Sequence, residues 1–253
     1  MQAYVINLPD ARERRAHMRQ CLERSGIDYR FVDGVVGREL TLPHPDYNER
    51  AYRLAHGKRT NLSELGCYFS HIKVLRAFLE TDDEHALILE DDVSFPENLG
   101  LVLAEALQHA QRFDLLRLSG LHRGTPIRVL RLQCGYDLSC NYTTQTGSGA
   151  YLVNRKCARQ MIEHLLPMWL PYDHALDRDW AYGVRAMCLD PMPVSQHSAF
   201  GSQIDADRSF KLPALQRYWT VLPYRSWNEI LRVLHRTREI VRQRQVTSSG
   251  PGG

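Results

Sequence analysis

Three consecutive carboxylates, Glu90, Asp91 and Asp92, are the residues of this chain best suited to chemistry. They follow directly on a short apolar run, residues 86–89, which is typical of a buried parallel strand rather than a helix. Such a strand delivers the next residues to the carboxyl edge of a sheet, where open α/β folds bind ligands. Because adjacent carboxylates repel one another, their grouping indicates a divalent-cation site. A solvated turn after the strand is the alternative.

Cationic residues lie just past a first predicted strand at residues 3–8. Arg12, Arg14 and Arg15 occupy the first turns of the helix predicted to follow, where positive charge is unfavourable unless an anion balances it. These arginines favour a clamp on a phosphorylated ligand at the same sheet edge as the acids. A solvated basic face is the alternative interpretation.

A second group of acids and two histidines complete the candidate residues. Asp173 and Asp177 are four positions apart, so a helix would place both on one face. An Asp-rich first helical turn is the simpler interpretation. His71 lies on a predicted helix, and His197 follows the last predicted strand. The six cysteines show no close spacing, so we interpret them as buried thiols of a protein from a reducing compartment.

The elements that must position these residues alternate between strands and helices. Strand patterns at residues 3–8 and 29–32 enclose a polar helix, with Asp10 as its N-cap and Gly26 as its terminal glycine. Residues 34–60 are predicted to be a long loop that covers the site. Further helices are predicted at residues 64–79, 97–112 and 155–166. Further strands are predicted at residues 115–118 and 150–153, with an edge strand at 128–132 and an extended segment at 189–196.

Composition limits the class of protein. The chain has 253 residues, and its hydrophobic content of 43% and charged content of 24% are ordinary for a globular protein. A net charge of +3 is too small to indicate nucleic acid as a partner. The first residues lack a charged segment followed by an apolar one, and no stretch reaches about 18 apolar residues. We therefore expect a cytoplasmic protein that does not span a membrane.

The C-terminal region differs in charge from the rest. Between residues 208 and 245, nine Lys or Arg stand against two Glu, and Trp227, Ile230 and Leu234 fall near helical spacing. A basic amphipathic helix is typical of an element that lies on a membrane surface or docks a partner. A helix packed on the domain with a basic outer face is the alternative. The predicted division is 1–207 as the main domain, 208–246 as a basic extension and 247–253 as a disordered tail.

Four sets of segments together resemble glycosyltransferase family 25, which includes bacterial lipopolysaccharide galactosyltransferases and related collagen-modifying domains. They are Val5-Ile6-Asn7-Leu8 with Glu13-Arg14-Arg15, Leu62-Ser63-Glu64-Leu65-Gly66-Cys67 with Ser70-His71, Ile88-Leu89-Glu90-Asp91-Asp92-Val93, and Gly149-Ala150-Tyr151-Leu152-Val153 with Pro171-Tyr172-Asp173 and Pro193-Val194-Ser195-Gln196. The resemblance spans about residues 3 to 205 and leaves the basic extension outside. Pro171-Tyr172-Asp173 departs from the family, in which an apolar residue more usually precedes the Asp.

The resemblance implies an α/β, GT-A-like nucleotide-binding sandwich with a mostly parallel central sheet. It also implies an inverting enzyme that moves a hexose, usually galactose from UDP-galactose, onto a glycan such as a lipopolysaccharide core. Mn²⁺ or Mg²⁺ would assist the reaction. The triplet Glu90-Asp91-Asp92 would stand for the family's Asp-x-Asp motif.

This interpretation gives each candidate residue an expected role. Glu90 and Asp92 hold the metal, with His197 as a further metal or phosphate ligand, and Asp91 faces the ribose or the sugar. The nucleotide is expected to contact Asn7, Leu8, Arg14 and Arg15. Ser70 and His71 are expected near the donor. The base that takes the acceptor hydroxyl proton is expected to be Asp173, with Asp177 as the second choice.

Other functions stay open on the sequence. The same fold could use another UDP-sugar or another acceptor. A non-catalytic module would bind a divalent cation structurally and dock a membrane or partner through the basic helix. A metal-dependent phosphohydrolase also uses carboxylates at a sheet edge. The transferase interpretation predicts as partners a nucleotide sugar, a glycan or glycolipid acceptor and an anionic membrane surface, with the enzyme in the cytoplasm or peripheral on the inner face of the cytoplasmic membrane.

Overall fold

The computed structural model describes residues 1–122, 124–196 and 210–248. Ten strands lie in these ranges, and two of them are short. They are β1 Gln2–Asn7, β2 Tyr29–Asp33, β3 His85–Glu90, β4 Val93–Ser94, β5 Leu115–Arg117, β6 Pro126–Arg131, β7 Asp137–Asn141, β8 Ala150–Asn154, β9 Ala186–Asp190 and β10 Ser195–Gln196. Seven α-helices accompany them within the same ranges. They are α1 Arg12–Ser25, α2 Glu49–His56, α3 Leu62–Leu79, α4 Leu99–Leu107, α5 Arg155–His164, α6 Tyr172–Leu176 and α7 Ala214–Ser248.

Eight of the described strands form one central sheet, in the order β2-β1-β3-β8-β5-β9-β7-β6. The pairings β1–β2, β1–β3 and β5–β9 are parallel, and the other four are antiparallel. Only β7 and β8 run against the rest, so six of these eight strands point the same way. The predicted mostly parallel sheet is confirmed in this sense. The short strands β4 and β10 form a separate antiparallel pair.

Helices cover both faces of the sheet, which gives three layers. Along β3, Ala86 and Ile88 join the hydrophobic core beneath α3 and α5, whereas Leu87 and Leu89 join the core beneath α1 and α4. All four side chains are fully buried, and burying a leucine stabilises the fold by about 1.5–3 kcal/mol. A strand buried on both faces needs an apolar residue at every position, which explains the continuous run before the acids.

The first βαβ unit matches the prediction except at its helix start. Strands β1 and β2 pair in parallel around α1, and Gly26 ends α1 with a φ of 62°. Asp10 is not the N-cap, because Ala11 takes that position without a side-chain cap. The Ala11 N–H donates to the carbonyl of Leu8, and this turn delays the helix by one residue. Asp10 instead lies on the cleft side of that turn.

The predicted loop at residues 34–60 is wrong in its middle, where α2 forms. The Asn48 side chain accepts a hydrogen bond from the Ala51 N–H, and Gly57 ends the helix with a φ of 77°. Earlier in the segment, Gly37 packs against the backbone of α3, where a Cβ would lie 1.9 Å from the carbonyl oxygen of Leu62. The segment is therefore bound to α3 by close backbone contact.

Two further strands were not predicted from the sequence. Residues 121–141 contain the hairpin β6–β7, of which only the edge strand was expected. Strand β9 begins three residues before the extended segment expected at 189–196, overlaps its first two residues and forms part of the sheet. Helix α7 continues through Ser248, so the first two residues of the predicted disordered tail are helical. The predicted boundary at residue 207 and residues 249–253 lie outside the described residues.

No helix in the described part of the chain has the length and apolar composition needed to cross a bilayer.

Candidate active site at the carboxyl edge of the sheet

An open cleft of about 1140 Å³ lies at the carboxyl ends of β1 and β3. We call it the acid cleft, because Glu90, Asp91 and Asp92 all contribute to its lining. The predicted site residues that line it are Leu8, Arg14, Ser70, His71, Glu90, Asp91, Asp92 and Asp173. The acids therefore face a cavity large enough for a nucleotide-sized ligand.

Glu90 is held at the cleft wall by two hydrogen bonds. Its Oε1 accepts from the Ser148 hydroxyl at 2.6 Å and contacts His71 Nε2 at 3.3 Å. Burial alone would raise the pKa of Glu90, but His71 and Ser148 outweigh it and lower that pKa. His71 is itself fully buried, with Nδ1 at 2.9 Å from the Tyr151 hydroxyl and its ring stacked on Tyr172 at 4.0 Å. Glu90 is therefore ionised and fixed in orientation.

Asp91 is bound by the protein through both oxygens. Asn7 Nδ2 donates to Oδ2 at 2.7 Å, and Arg14 donates to Oδ1 at 3.0 Å. Asn7 is buried and does not line the acid cleft. The structure therefore places Asn7 away from the cleft lining, with its amide orienting Asp91. Arg14 both lines the cleft and balances the charge of the acids.

Asp92 differs from its neighbours because one of its oxygens has no partner. Oδ1 is buried without a hydrogen bond among the described residues, and Oδ2 lies 3.6 Å from Arg14. Burial and the charge of Glu90 raise the pKa of Asp92 to about 6, although Arg14 opposes them. A buried, unpartnered carboxylate oxygen beside an ionised Glu is suited to binding a hard cation. The residues present therefore fit Mn²⁺ or Mg²⁺.

The two aspartates predicted as bases lie in different environments. Asp173 lines the cleft, where its oxygens accept the N–H groups of Gly147 at 3.2 Å and His174 at 2.8 Å. Asp177 is 2% exposed, does not line the cleft, and accepts from Arg232 of α7 at 2.7 Å. Asp177 caps α6, and its N–H donates to the Asp173 carbonyl one turn earlier, but its side chain is bound by Arg232 instead of facing the cleft. The structure therefore places Asp173 on the cleft wall and Asp177 against α7.

Of the remaining predicted residues, one is separated from the cleft, one lies outside the described residues and one lines the cleft. Arg15 does not line it, because its guanidinium lies 4.2 Å from the ring of Phe31 and 3.9 Å from Asp33. Adjacent helical positions point about 100° apart, so Arg14 faces the cleft whereas Arg15 faces Phe31 and Asp33 of β2. His197 lies outside the described residues. Ser70 lines the cleft, and its hydroxyl accepts the Val35 N–H at 2.8 Å.

A polar cluster at one side of the cleft was not predicted as a site. The buried carboxylate of Glu64 accepts from Lys58 at 3.0 Å and from the Tyr52 hydroxyl. His56 lies beside it, with its ring 5.5 Å from that of His174. Burial and the charges of His174 and Lys58 lower the pKa of His56 to about 2. Glu64 belongs to a segment that resembles the family, but no regular sequence spacing predicts its contacts with Tyr52 and Lys58.

Cys67 was predicted to be a core thiol, and the structure places it on the cleft wall. Its Sγ, a ring nitrogen of His71 and a carboxylate oxygen of Glu90 lie within 4.8 Å of one another. The sequence contains a signal for the proximity of Cys67 to His71, since the two residues are four positions apart on a predicted helix. Burial raises the pKa of Cys67, so the free thiol is protonated.

Comparison with known proteins identifies the enzyme class to which this fold and cleft belong. Curated relatives with similar sequences are glycosyltransferases, which confirms the enzyme prediction over a non-catalytic module. The chain belongs to glycosyltransferase family 25: the family model described as "Glycosyltransferase family 25 (LPS biosynthesis protein)" matches residues 1–176. The family predicted from the sequence motifs is thus confirmed.

Three relatives illustrate the range of the family. The chain is 26% identical over 242 residues to the lacto-N-neotetraose biosynthesis glycosyltransferase LgtE of Neisseria meningitidis, covering 82% of each chain. It is 25% identical to the lipooligosaccharide biosynthesis protein lic2B of Haemophilus influenzae, covering 69% of this chain and 67% of the relative. It is 29% identical to procollagen galactosyltransferase 1-B of Xenopus laevis, covering 87% of this chain and 36% of that longer protein.

Proposed function

We propose that this chain is an inverting, metal-assisted galactosyltransferase that uses UDP-galactose and extends a lipooligosaccharide or lipopolysaccharide glycan. Family membership and the bacterial relatives, which are named for such glycans, support the acceptor class. The observation that carries the proposal is Asp92, whose buried Oδ1 has no hydrogen-bond partner in the described part of the chain and lies beside ionised Glu90. In this proposal the three layers are a GT-A-like nucleotide-binding fold.

Glu90 and Asp92 are the residues that would hold Mn²⁺ or Mg²⁺. When bound, such an ion offsets the negative charge that develops on the diphosphate leaving group. Arg14 adds a fixed positive charge at the same wall, 3.0 Å from Asp91 and 3.6 Å from Asp92. His71 and Ser148 keep Glu90 ionised and in one orientation. The chain thus supplies a preorganised anionic pocket for a cation. The cation, once bound, would in turn bind the diphosphate.

Asp173 is the proposed base. Backbone N–H groups fix both of its oxygens at the cleft wall, and the remaining lone pairs are available to an acceptor hydroxyl. The acceptor oxygen attacks the anomeric carbon as its bond to the UDP oxygen breaks, and the hydroxyl proton passes to Asp173. Because attack and departure occur on opposite faces, the anomeric configuration inverts.

The outer face of α7 supports a membrane-bound acceptor. Trp219 and Trp227 are 71% and 61% exposed, and Leu215, Ile230, Leu234 and Val241 are exposed as well. Of the two acids of the helix, Glu229 bonds Thr144 and Arg232, and Glu239 is buried against Gln243. Exposed Trp beside exposed arginines such as Arg225 and Arg238 is typical of a helix lying at an anionic lipid surface. We propose peripheral membrane association through this face.

A panel of UDP-sugars tests the donor assignment. Release of UDP should require Mn²⁺ or Mg²⁺, and UDP-galactose should give the largest kcat/KM in the presence of a galactose-accepting oligosaccharide. Equal rates with every UDP-sugar, or rates unchanged by a chelator, would overturn the proposal. Galactose transferred with retained configuration, read from the product's anomeric coupling, would overturn the inverting mechanism alone.

A further inference from the structure

Cys67, His71 and Glu90 form a mixed donor set on the wall of the acid cleft, and we call it the thiol trio. Cys67 and His71 lie one turn apart on α3, and Glu90 lies at the end of β3. One thiol sulfur, one imidazole nitrogen and one carboxylate oxygen lie within 4.8 Å of one another. All three residues line the cleft, and an ion in solution reaches the trio through Cys67 and Glu90, which are partly exposed, whereas His71 is fully buried.

The donor types of the thiol trio match zinc rather than manganese. Thiolate, imidazole and carboxylate are the ligands that Zn²⁺ prefers, whereas Mn²⁺ and Mg²⁺ favour oxygen alone. Ligand atoms around a tetrahedral zinc ion lie about 3.3–3.8 Å apart, given Zn–N and Zn–S distances of about 2.0–2.3 Å. His71 Nε2 and Glu90 Oε1 are already 3.3 Å apart, and the thiol sulfur lies within 4.8 Å of a ring nitrogen of His71 and a carboxylate oxygen of Glu90.

The surroundings of His71 are those of a positioned metal ligand. Its Nδ1 lies 2.9 Å from the Tyr151 hydroxyl, which in turn lies 2.8 Å from the Tyr172 hydroxyl. The Tyr172 ring stacks on the imidazole at an interplanar angle of 3°. Zinc-binding histidines commonly donate their second ring nitrogen to such a partner, which fixes the ring orientation. With a metal bound, Nδ1–H donates to Tyr151 and the Nε2 lone pair faces the ion.

We propose that the thiol trio is a zinc site that shares Glu90 with the proposed manganese site, and that zinc bound there inhibits the transferase. On binding, the Cys67 S–H bond is replaced by an S–Zn bond, and the proton passes to water. Three protein ligands leave a fourth position for water or a phosphate oxygen. Inhibition follows because Glu90 belongs to both sites. The binding claim stands on the trio alone, whereas the inhibition claim rests on the proposed function.

Direct metal binding tests the site without any assay of activity. Co²⁺, a spectroscopic substitute for Zn²⁺, should give a thiolate-to-metal absorption band on titration of the wild-type chain, and Zn²⁺ should abolish it stoichiometrically. In Cys67→Ala the band should be absent and the affinity for Zn²⁺ at least tenfold weaker. Cys157→Ala, which removes another buried thiol from α5, should behave as the wild type. Circular dichroism verifies that both variants are folded.

The outcomes separate the two claims. A wild-type chain without the cobalt–thiolate band, or a Cys67→Ala variant that binds Zn²⁺ as tightly as the wild type, overturns the zinc site. If the band is present but Zn²⁺ does not slow UDP release, the site stands and the assignment of Glu90 to catalysis falls. If Zn²⁺ inhibits Cys67→Ala as strongly as the wild type, inhibition arises elsewhere and that claim is overturned.

Discussion

The carboxylates of the acid cleft differ in charge state because their hydrogen-bond partners differ. Glu90 receives hydrogen bonds from an imidazole and a hydroxyl, and its pKa is lowered despite burial. Asp92, two positions later, has a raised pKa of about 6 because burial and Glu90 disfavour its charge. The chain therefore carries an incompletely compensated negative charge at the point where a cation would bind. Side-chain types indicated this site from the sequence, but their partners His71 and Ser148 are 19 and 58 positions from Glu90.

Substitution of Asp173 should lower catalysis without affecting donor binding. Asp173→Asn keeps the size of the side chain but removes the basic oxygen, so kcat should fall by about 100- to 10,000-fold. The affinity for UDP with Mn²⁺ should stay within about twofold, since Asp173 is not among the proposed metal ligands. Steady-state kinetics and UDP titration measure the two quantities. A variant with wild-type kcat would show that another group takes the proton.

The buried His56 should make stability depend on pH in a defined direction. Its pKa is about 2 in the folded chain and about 6.5 when unfolded. As the pH falls below about 6.5, only the unfolded chain takes up this proton, so stability present above pH 6.5 is progressively lost. His56→Gln should remove this contribution. Between pH 7.5 and pH 5, the free energy of unfolding of the variant should therefore fall by roughly 1–2 kcal/mol less than that of the wild type.

Urea unfolding at the two pH values measures this difference. His164→Gln is the matched control, because His164 is exposed on α5 and should leave the pH dependence unchanged. Equal pH dependence in the wild type and His56→Gln would mean that His56 titrates normally in the folded chain.

At the scale of elements, α7 is joined to the sheet domain by buried ion pairs. Arg232 donates to Asp177 at 2.7 Å, and Arg236 donates to Asp179 at 2.7 Å and to the Ala186 carbonyl at 3.0 Å. All four charged side chains are nearly or fully buried. The basic residues that the sequence attributes to one amphipathic face therefore divide into an inner set, which pairs with aspartates, and an outer set. Helical spacing predicted the helix, but only the distant aspartates determine which arginines face inward.

Breaking one of these pairs should strongly destabilise the fold. Arg236→Met removes the guanidinium that pairs with the fully buried carboxylate of Asp179. The free energy of unfolding should therefore fall by about 3–5 kcal/mol. Arg238→Ala, two positions away and exposed, should change stability by less than about 0.5 kcal/mol. Urea unfolding compares them. The double variant Asp179→Asn, Arg236→Met should recover part of the loss, and a fully stable Arg236→Met would contradict a structural role for the pair.

At the scale of the whole molecule, the fold places a nucleotide-sized cleft and an exposed apolar helix face on one chain. The alternation of strands and helices, the parallel βαβ unit and the strand that carries the acids all follow local sequence patterns, and the structure confirms them. Strand β7 and helix α2 were not predicted because their patterns are short and polar. The ion pair of Asp177 with Arg232 was not predicted, because Arg232 is 55 positions away on a helix whose packing no local pattern encodes.

Membrane association should depend on the outer face of α7. Trp219→Ala with Trp227→Ala should weaken binding to anionic vesicles by at least about tenfold, because each exposed indole would otherwise enter the lipid interface. Binding should also fall with added salt. Substitution is preferable to truncation, since removing α7 would leave Asp177 and Asp179 buried without their arginines. Vesicle co-sedimentation that is equal for variant and wild type would exclude this face, and donor binding serves as the control for folding.

The most direct test of the account is the joint effect of UDP and Mn²⁺ on thermal stability, measured in the wild type and in Asp92→Asn. Binding to the folded state raises the melting temperature, so UDP and Mn²⁺ together should stabilise the wild type more than either alone. Asp92→Asn should lose this joint effect, with Mn²⁺-dependent UDP affinity reduced about 100-fold (about 2.8 kcal/mol). Asp82→Asn, a loop substitution outside the cleft, should retain it. If Asp92→Asn were stabilised by UDP and Mn²⁺ as much as the wild type, the carboxylates at the end of β3 would not form the metal–nucleotide site.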